Sequence, residues 1–325
     1  MKIRAVCKKS SLPKEEDDAA RSLTKASAKS ILRIEQPLVE KPYSLCFIIN
    51  ALLYNLVGKT MTLKLIPIDH GELCHGWAWS IDDEDALAER VARIVIGQYR
   101  HVAKILSGAG VPGPAANAEQ ANAAIKQLTL AAGEDPWHRD GWLFQAISWI
   151  AAHQQPSASL TRMPHIRKAD KGFDGMQLEL DEAGTSVTAV VIFEDKATDH
   201  ARKTIHEDVW PGIKALEKGE RQNEVSQEVS GMLDARAAAD PKFDLDSAIA
   251  NTLWRDVRHY RVSITIGDTH NKVKARAGLF KGFDESAPGA SVRRRADTIY
   301  LPAMRNWMAS FAALVILKIK AIANV

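Results

Sequence analysis

Cysteine is scarce, neither charge dominates, and no apolar run reaches membrane length; each shortage removes a class of protein. The three cysteines, Cys7, Cys46 and Cys74, stand far apart in 325 residues and form no C-x-x-C pair. Neither a disulfide framework nor a paired-cysteine zinc site is indicated, and a reducing cytoplasm is the expected compartment. Lysine and arginine total 43 against 40 aspartates and glutamates, a net charge of +3. That balance excludes a histone-like polycation, so an anionic partner has to be held by a local patch. The longest apolar stretches are residues 45–57, interrupted by Asn50 and Asn55, and residues 307–317, closed by Lys318 and Lys320. Both fall short of the ~20 residues of a membrane helix, and no membrane contact is expected. With 46% hydrophobic and 26% charged residues, close to globular averages, the chain reads as a folded protein of one large domain or two unequal ones.

The organisation is read from punctuation and periodicity. Residues 1–30 are rich in Lys, Ser, Glu and Asp without steady apolar spacing, the pattern of a poorly ordered tail. Residues 1–60 are taken as a partly disordered extension ahead of a strand at residues 62–68. Ser80 followed by Asp83 predicts a helix start of the capping-box type, the apolar spacing running from Leu87 to Leu106. Residues 111–117, which hold Pro112, Gly113 and Pro114, read as a linker that would separate an accessory region, 61–117, from a larger domain, 118–325. In that larger domain a helix over 141–152 capped by Asp140 leads into strands at 163–166, 175–180 and 187–193. The last two are joined by the turn Asp181-Glu182-Ala183-Gly184. Residues 188–193 are almost continuously apolar, as in a central strand covered on both faces. Helices near 199–218, 223–238 and 245–253 precede an alternating strand, 260–266, expected to bury one face. A basic loop and a closing helix, 302–322, follow, the helix expected to be buried on several sides. The fold class is therefore α/β, a mixed sheet flanked by helices with a smaller N-terminal α/β region.

The chemistry-bearing residues lie on the hairpin. Asp174 opens one strand between Gly172 and Gly175, and Glu194-Asp195-Lys196 ends the next. A hairpin of this length brings the start of one antiparallel strand beside the end of the other. Alternation then puts Glu194 and Lys196 on one face and Asp195 on the opposite one. Two carboxylates on adjacent strands make a hard oxygen site suited to Mg²⁺, with Mn²⁺ as a substitute. A lysine two positions on can hold the attacking water and offset charge on phosphorus. The glycines beside Asp174 are expected to leave room for a substrate backbone.

Asp174 with Glu194-x-Lys196 closing an apolar strand resembles the PD-(D/E)xK, or restriction-endonuclease-like, nuclease superfamily, although Phe173 stands where that name has proline. The resemblance covers residues 134–268 and implies a core of helix, three strands, helix and strand. It implies Asp174 and Glu194 as metal ligands, Lys196 as the residue assisting the water, and a polar side chain from the preceding helix, for which Gln145 is the candidate and Glu134 the weaker one. The substrate it implies is DNA, cut by an Mg-dependent endonuclease. The context also looks similar to nuclease domains of bacterial antiphage defence and restriction systems, which implies a helicase or sensor protein as partner; self-association stays open. Basic residues for phosphate contact are Lys168, Lys171, Arg202 and Lys203, with Arg167 beside them. Arg293-Arg294-Arg295 reads equally as a nucleic-acid contact and as a solvated loop. The rival reading is a non-catalytic nucleic-acid-binding or assembly subunit that keeps this fold, and RNA cleavage is a third.

Other features are set aside. Gly58-Lys59-Thr60 matches the end of a phosphate loop, but Leu53 stands where its first glycine belongs. Residues 69–75 gather Asp69, His70, Glu72, Cys74 and His75 on a short stretch, where crowded ligands rarely converge on one ion. Trp77 and Trp79 are expected in the core. Trp137, Trp142 and Trp149 are expected to pack the domain, as is His138, a lone histidine being a weak general-base candidate.

Overall fold

The computed structural model describes residues 62–109, 112–155, 159–164, 172–240, 243–252 and 255–324, all within one unit of the chain. The opening tail, the 58–60 tripeptide, Arg167, Lys168 and Lys171 lie outside these residues. A hairpin, β1 (Leu63–Asp69) and β2 (His75–Ile81), leads into helices α1 (Glu84–Val95), α2 (Tyr99–Leu106), α3 (Ala118–Leu128) and α4 (Trp137–Gln154). Strands β3 (Ser159–Thr161), β4 (Gly175–Leu180) and β5 (Val187–Lys196) follow. Next come α5 (Ala201–Thr204), a π turn (Ile205–Val209), α6 (Trp210–Glu217), α7 (Gln222–Ala239) and α8 (Leu245–Thr252). Strand β6 (Arg258–Ile266), helices α9 (Val273–Leu279) and α10 (Phe283–Ser286), strand β7 (Arg294–Tyr300) and helix α11 (Met304–Ala323) close the order.

The strands form one mixed sheet ordered β1-β2-β7-β6-β5-β4-β3. Its centre, β2-β7-β6-β5, is parallel, and the outer pairs β1-β2, β5-β4 and β4-β3 are antiparallel. Alternation along the strands builds two cores. One face packs Val190, Ile192, Tyr260, Val262 and Ile264 under the helices between β5 and β7. The other packs Trp77, Trp79, Leu87, Val91, Phe144 and Ile147 with the buried stripe of α11. As predicted, β5 is central, and Trp77, Trp79, Trp142 and Trp149 are buried.

Several expectations change. The 112–117 segment separates no sheet, because β2 pairs directly with β7 and carries the 62–81 hairpin into the same sheet as β5. A strand forms at Ser159–Thr161, ahead of the one expected at 163–166; Met163 and Pro164 are in no strand, and residues 165–166 lie outside the described residues. Asp83, not Ser80, caps α1, accepting the amide of Ala86 at 2.9 Å. The long helix is interrupted at Gly97, where φ is +87°. Asp140 sits inside the first turn of α4, fully buried and held by Arg139 and Arg305, each at 2.7 Å. Trp137 is 54% exposed and stacks on His138 with ring centroids 3.5 Å apart, rather than filling the core.

The alternation of β6 does not mark a wet face, since all nine residues are buried. Arg261, Ser263 and Thr265 are buried; Ser263 meets Ser148 of α4, and the Thr265 hydroxyl donates to the carbonyl of Thr198 and accepts its amide, both at 2.8 Å. The basic loop is strand β7. Arg293 donates to Glu217, Arg294 to the carbonyls of Leu73 and Ala287, and Arg295 to both oxygens of Glu179. These donors are taken up inside the protein, so the run is neither a solvated loop nor free for contact with a partner. On α11 the buried residues Met304, Met308, Phe311, Ala312, Val315 and Ile319 make one stripe, not several. That stripe packs on α1 and α3. At 20 residues α11 is long and apolar enough to cross a membrane by length and composition alone. A one-sided stripe seated on neighbouring helices is the pattern of an amphipathic helix packed on the domain by one face.

Candidate active site

The register decides the site. Gly175 pairs with Phe193 and Met176 with Ile192, so the residue before Gly175 faces the residue after Phe193, bringing Asp174 opposite Glu194. One lysine nitrogen measures the convergence: Nζ of Lys196 lies 3.2 Å from Oδ2 of Asp174 and 3.0 Å from Oε2 of Glu194. The two carboxylates are thus within reach of one cation. The three side chains remain between 17% and 27% exposed.

Asp174 is fixed on both oxygens. Oδ1 accepts from Nε2 of Gln145 on α4 at 2.7 Å, and Oδ2 accepts from the backbone N–H of Asp195 at 2.8 Å as well as from Lys196. Gln145 therefore meets the acid, whereas Glu134 lies ahead of α4 and accepts the amide of Ala131. Burial pushes the pKa of Glu194 upward, Lys196 opposing and Asp174 reinforcing the effect. Burial works against the charge of Lys196, but Glu194 and Asp174 override it and raise its pKa. Both acids accept from its Nζ.

The Asp195 side chain points to the other face, as alternation requires. Oδ1 accepts from Ser148 of α4 at 2.7 Å, and burial pushes its pKa to about 7 against the pull of Arg261. Ser148 and Gln145, three residues apart, occupy one side of α4. One helix thereby anchors both faces of the β5 end. Below them Arg261 pairs with Asp297 at 2.7 Å and stacks on Phe193 and Trp79 at 4.5 and 5.2 Å. Asp297 also accepts the amide of Trp77 at 2.8 Å. A buried charge needs such full pairing.

Gly175 has a different role from the one expected. A Cβ there would meet Cδ2 of Phe193 at 2.7 Å. The missing side chain makes space for the Phe193 ring rather than for substrate.

The predicted phosphate contacts divide. Arg202 donates through Nη1 to the carbonyls of Leu279 and Lys281 at 2.8 and 3.0 Å, a cap on the end of α9. Lys203 is exposed, with Glu207 at 3.8 Å. Two arginines that sequence reasoning missed lie beside the start of β4. The guanidinium of Arg221, just ahead of α7, lies 4.3 Å from the ring centroid of Phe173, the neighbour of Asp174. Arg162 donates its backbone N–H to the carbonyl of Met176 at 2.8 Å. The only sequence signal for Arg221 is the helix break around Gly219.

The ligands crowded at 69–75 diverge. Asp69 accepts the amide of Gly71 in the β1–β2 turn, while Cys74 is buried in the core, which pushes its thiol up to about 12.

Fold and site together define an α/β protein whose mixed sheet displays two acids, an amine and an amide at one strand end. No family model matches the chain, and no curated protein matches it in sequence.

Proposed function

We propose that the protein is a metal-dependent nuclease that hydrolyses DNA phosphodiester bonds at Asp174, Glu194, Lys196 and Gln145. The observation that carries this reading is the pairing of Lys196 with both Asp174 and Glu194, which gathers two acids and an amine at one strand end. The order of α4, an antiparallel β3-β4-β5 meander, helices and a β6 parallel to β5 supports the restriction-endonuclease-like resemblance. A cytoplasmic effector of a bacterial defence or restriction system, worked by a helicase or sensor partner, is the setting that this resemblance favours.

Asp174 and Glu194 would hold Mg²⁺ or Mn²⁺, hard cations that take few protein oxygens and keep several waters. The ion would supply Lewis-acid polarisation of a phosphoryl oxygen and a more acidic water. The remaining work belongs to the chain. Gln145 and the Asp195 amide fix the rotamer of Asp174, so the acid is oriented before substrate arrives. Lys196 donates to the attacking water and to the developing negative charge on phosphorus.

The test is nicking of plasmid DNA by the full chain with Mg²⁺, beside Glu194→Ala and Lys196→Ala. Loss of a stabilising charge of this kind costs about 10²–10³-fold in rate, and both variants are expected to fall at least that far with unchanged thermal melts. Equal nicking by wild type and both variants rejects the assignment.

A further inference from the structure

Helix α7 stands on the face of the sheet that carries Glu194 and Lys196, and two of its acids hold two arginines. Glu224 accepts Nε and Nη2 of Arg221 at 3.0 and 2.7 Å, and Glu228 accepts Nε of Arg162 at 3.0 Å. Glu224 and Glu228 are one turn apart, so the arginines are presented side by side. The guanidinium of Arg221 lies over Phe173, and the backbone N–H of Arg162 bonds the carbonyl of Met176; Phe173 and Met176 stand on either side of Asp174 in the chain. Both retain solvent contact, with side chains 32% and 20% exposed.

Arg221 is not where backbone preference asks for an arginine. Arg221 has φ +58°, the left-handed region that favours glycine. Its pairing with Glu224 uses a single carboxylate oxygen of a 43% exposed residue, and such half-exposed pairs contribute at most about 1 kcal/mol. A phosphate, by contrast, accepts a guanidinium bidentately and with greater strength.

We infer that Arg221, with Arg162 beside it, is a phosphate-binding pair for the nucleic-acid strand cut at Asp174 and Glu194, held ready in the free protein by Glu224 and Glu228. The inference rests on the nuclease reading and names its substrate contact: the phosphodiester backbone, read by charge and not by base. Binding exchanges each carboxylate for a phosphate oxygen. Glu224 is therefore a competitor of the substrate, which gives the two partners opposite effects.

The experiment is fluorescence anisotropy of a labelled DNA duplex with the full chain in EDTA, where cutting is suppressed, over a series of salt concentrations. Arg221→Ala and Arg221→Gly are compared with Glu224→Gln; glycine suits the left-handed backbone and guards against a folding defect. Removing Arg221 by either route is expected to weaken binding at least tenfold and to lower the salt slope by about one. Glu224→Gln is expected to tighten binding several-fold. Wild-type binding and slope in both Arg221 variants overturns the inference, as does weakening by Glu224→Gln equal to that by Arg221→Ala, the mark of a strut. Parallel nicking with Mg²⁺ separates the two readings. If Arg221 variants bind normally while Glu194→Ala alone abolishes cutting, the nuclease stands and the arginine contact falls. If Arg221 variants bind weakly while Glu194→Ala cuts like wild type, the contact stands and the catalytic assignment falls. A wild type that neither binds nor cuts overturns both.

Discussion

Asp195 shows how one residue serves two faces of a strand. Its amide orients Asp174 while its carboxyl is buried with Ser148 on the opposite side. The pKa of about 7 compares with an ordinary 3.8. The folded state therefore binds more protons than the unfolded state between about pH 4 and 7, and by linkage stability falls as pH rises through that window. At about 1.4 kcal/mol per pH unit the penalty is on the order of a few kcal/mol. In metal-free protein, urea denaturation at pH 5 and pH 8 is expected to show Asp195→Asn gaining stability relative to wild type mainly at pH 8. A gain of the same size at both values contradicts the burial penalty. Sequence alternation alone separated Asp195 from Glu194 and Lys196. It left the amide contact invisible, because a backbone donor carries no residue signature.

At the scale of elements, the β4–β5 register sets the site, and Gly175 guards it. Because a Cβ at 175 would strike the Phe193 ring at 2.7 Å, Gly175→Ala has to part the strands at the pair next to Asp174 and Glu194. Overpacking of this kind costs about 1–3 kcal/mol. Nicking is expected to drop along with thermal stability, and Phe193→Leu in the same chain is expected to restore part of both. A Gly175→Ala protein as stable and active as wild type rules out the ring contact as the reason for glycine. The hairpin itself was legible: turn residues, an apolar strand and E-x-K spacing place Asp174 against Glu194 without coordinates. Helix α4 was legible as a helix and as the source of Gln145. The polar strands misled. Arg261, Ser263 and Thr265 alternate as on a solvated face but lie buried, and Arg293-Arg294-Arg295 has the composition of a loop but forms part of the sheet and its approach. Acids distant in the chain, Asp297, Glu217 and Glu179, pair with Arg261, Arg293 and Arg295, while carbonyls of Leu73 and Ala287 hold Arg294. Long-range pairing of that kind leaves no local period.

For the whole molecule the consequence concerns residues 62–117, which the linker signal set apart. The β1–β2 hairpin extends the sheet from β7, and its Trp79 forms one wall of the Arg261 pocket while the amide of Trp77 holds Asp297. Helix α1 adds Leu87, Val91 and Ile94 to the core beneath α11. Both α1 and β1 also pack on α4, the helix that presents Gln145 and Ser148 to the strand end. Removing residues 1–117 would therefore strip the amide from one oxygen of the buried Asp297, expose the edge of β7 and loosen the helix that positions Asp174. Loss of a hydrogen bond to a buried charged group alone costs about 1.5–3 kcal/mol, a sizeable part of the 5–15 kcal/mol that holds a domain together. A chain of residues 118–325 is expected to show no cooperative urea transition by circular dichroism and no Mg²⁺-dependent nicking. A sharp transition near that of the full chain would mean that the α4 face closes without the hairpin, and that Gln145 reaches Asp174 through contacts made entirely within residues 118–325.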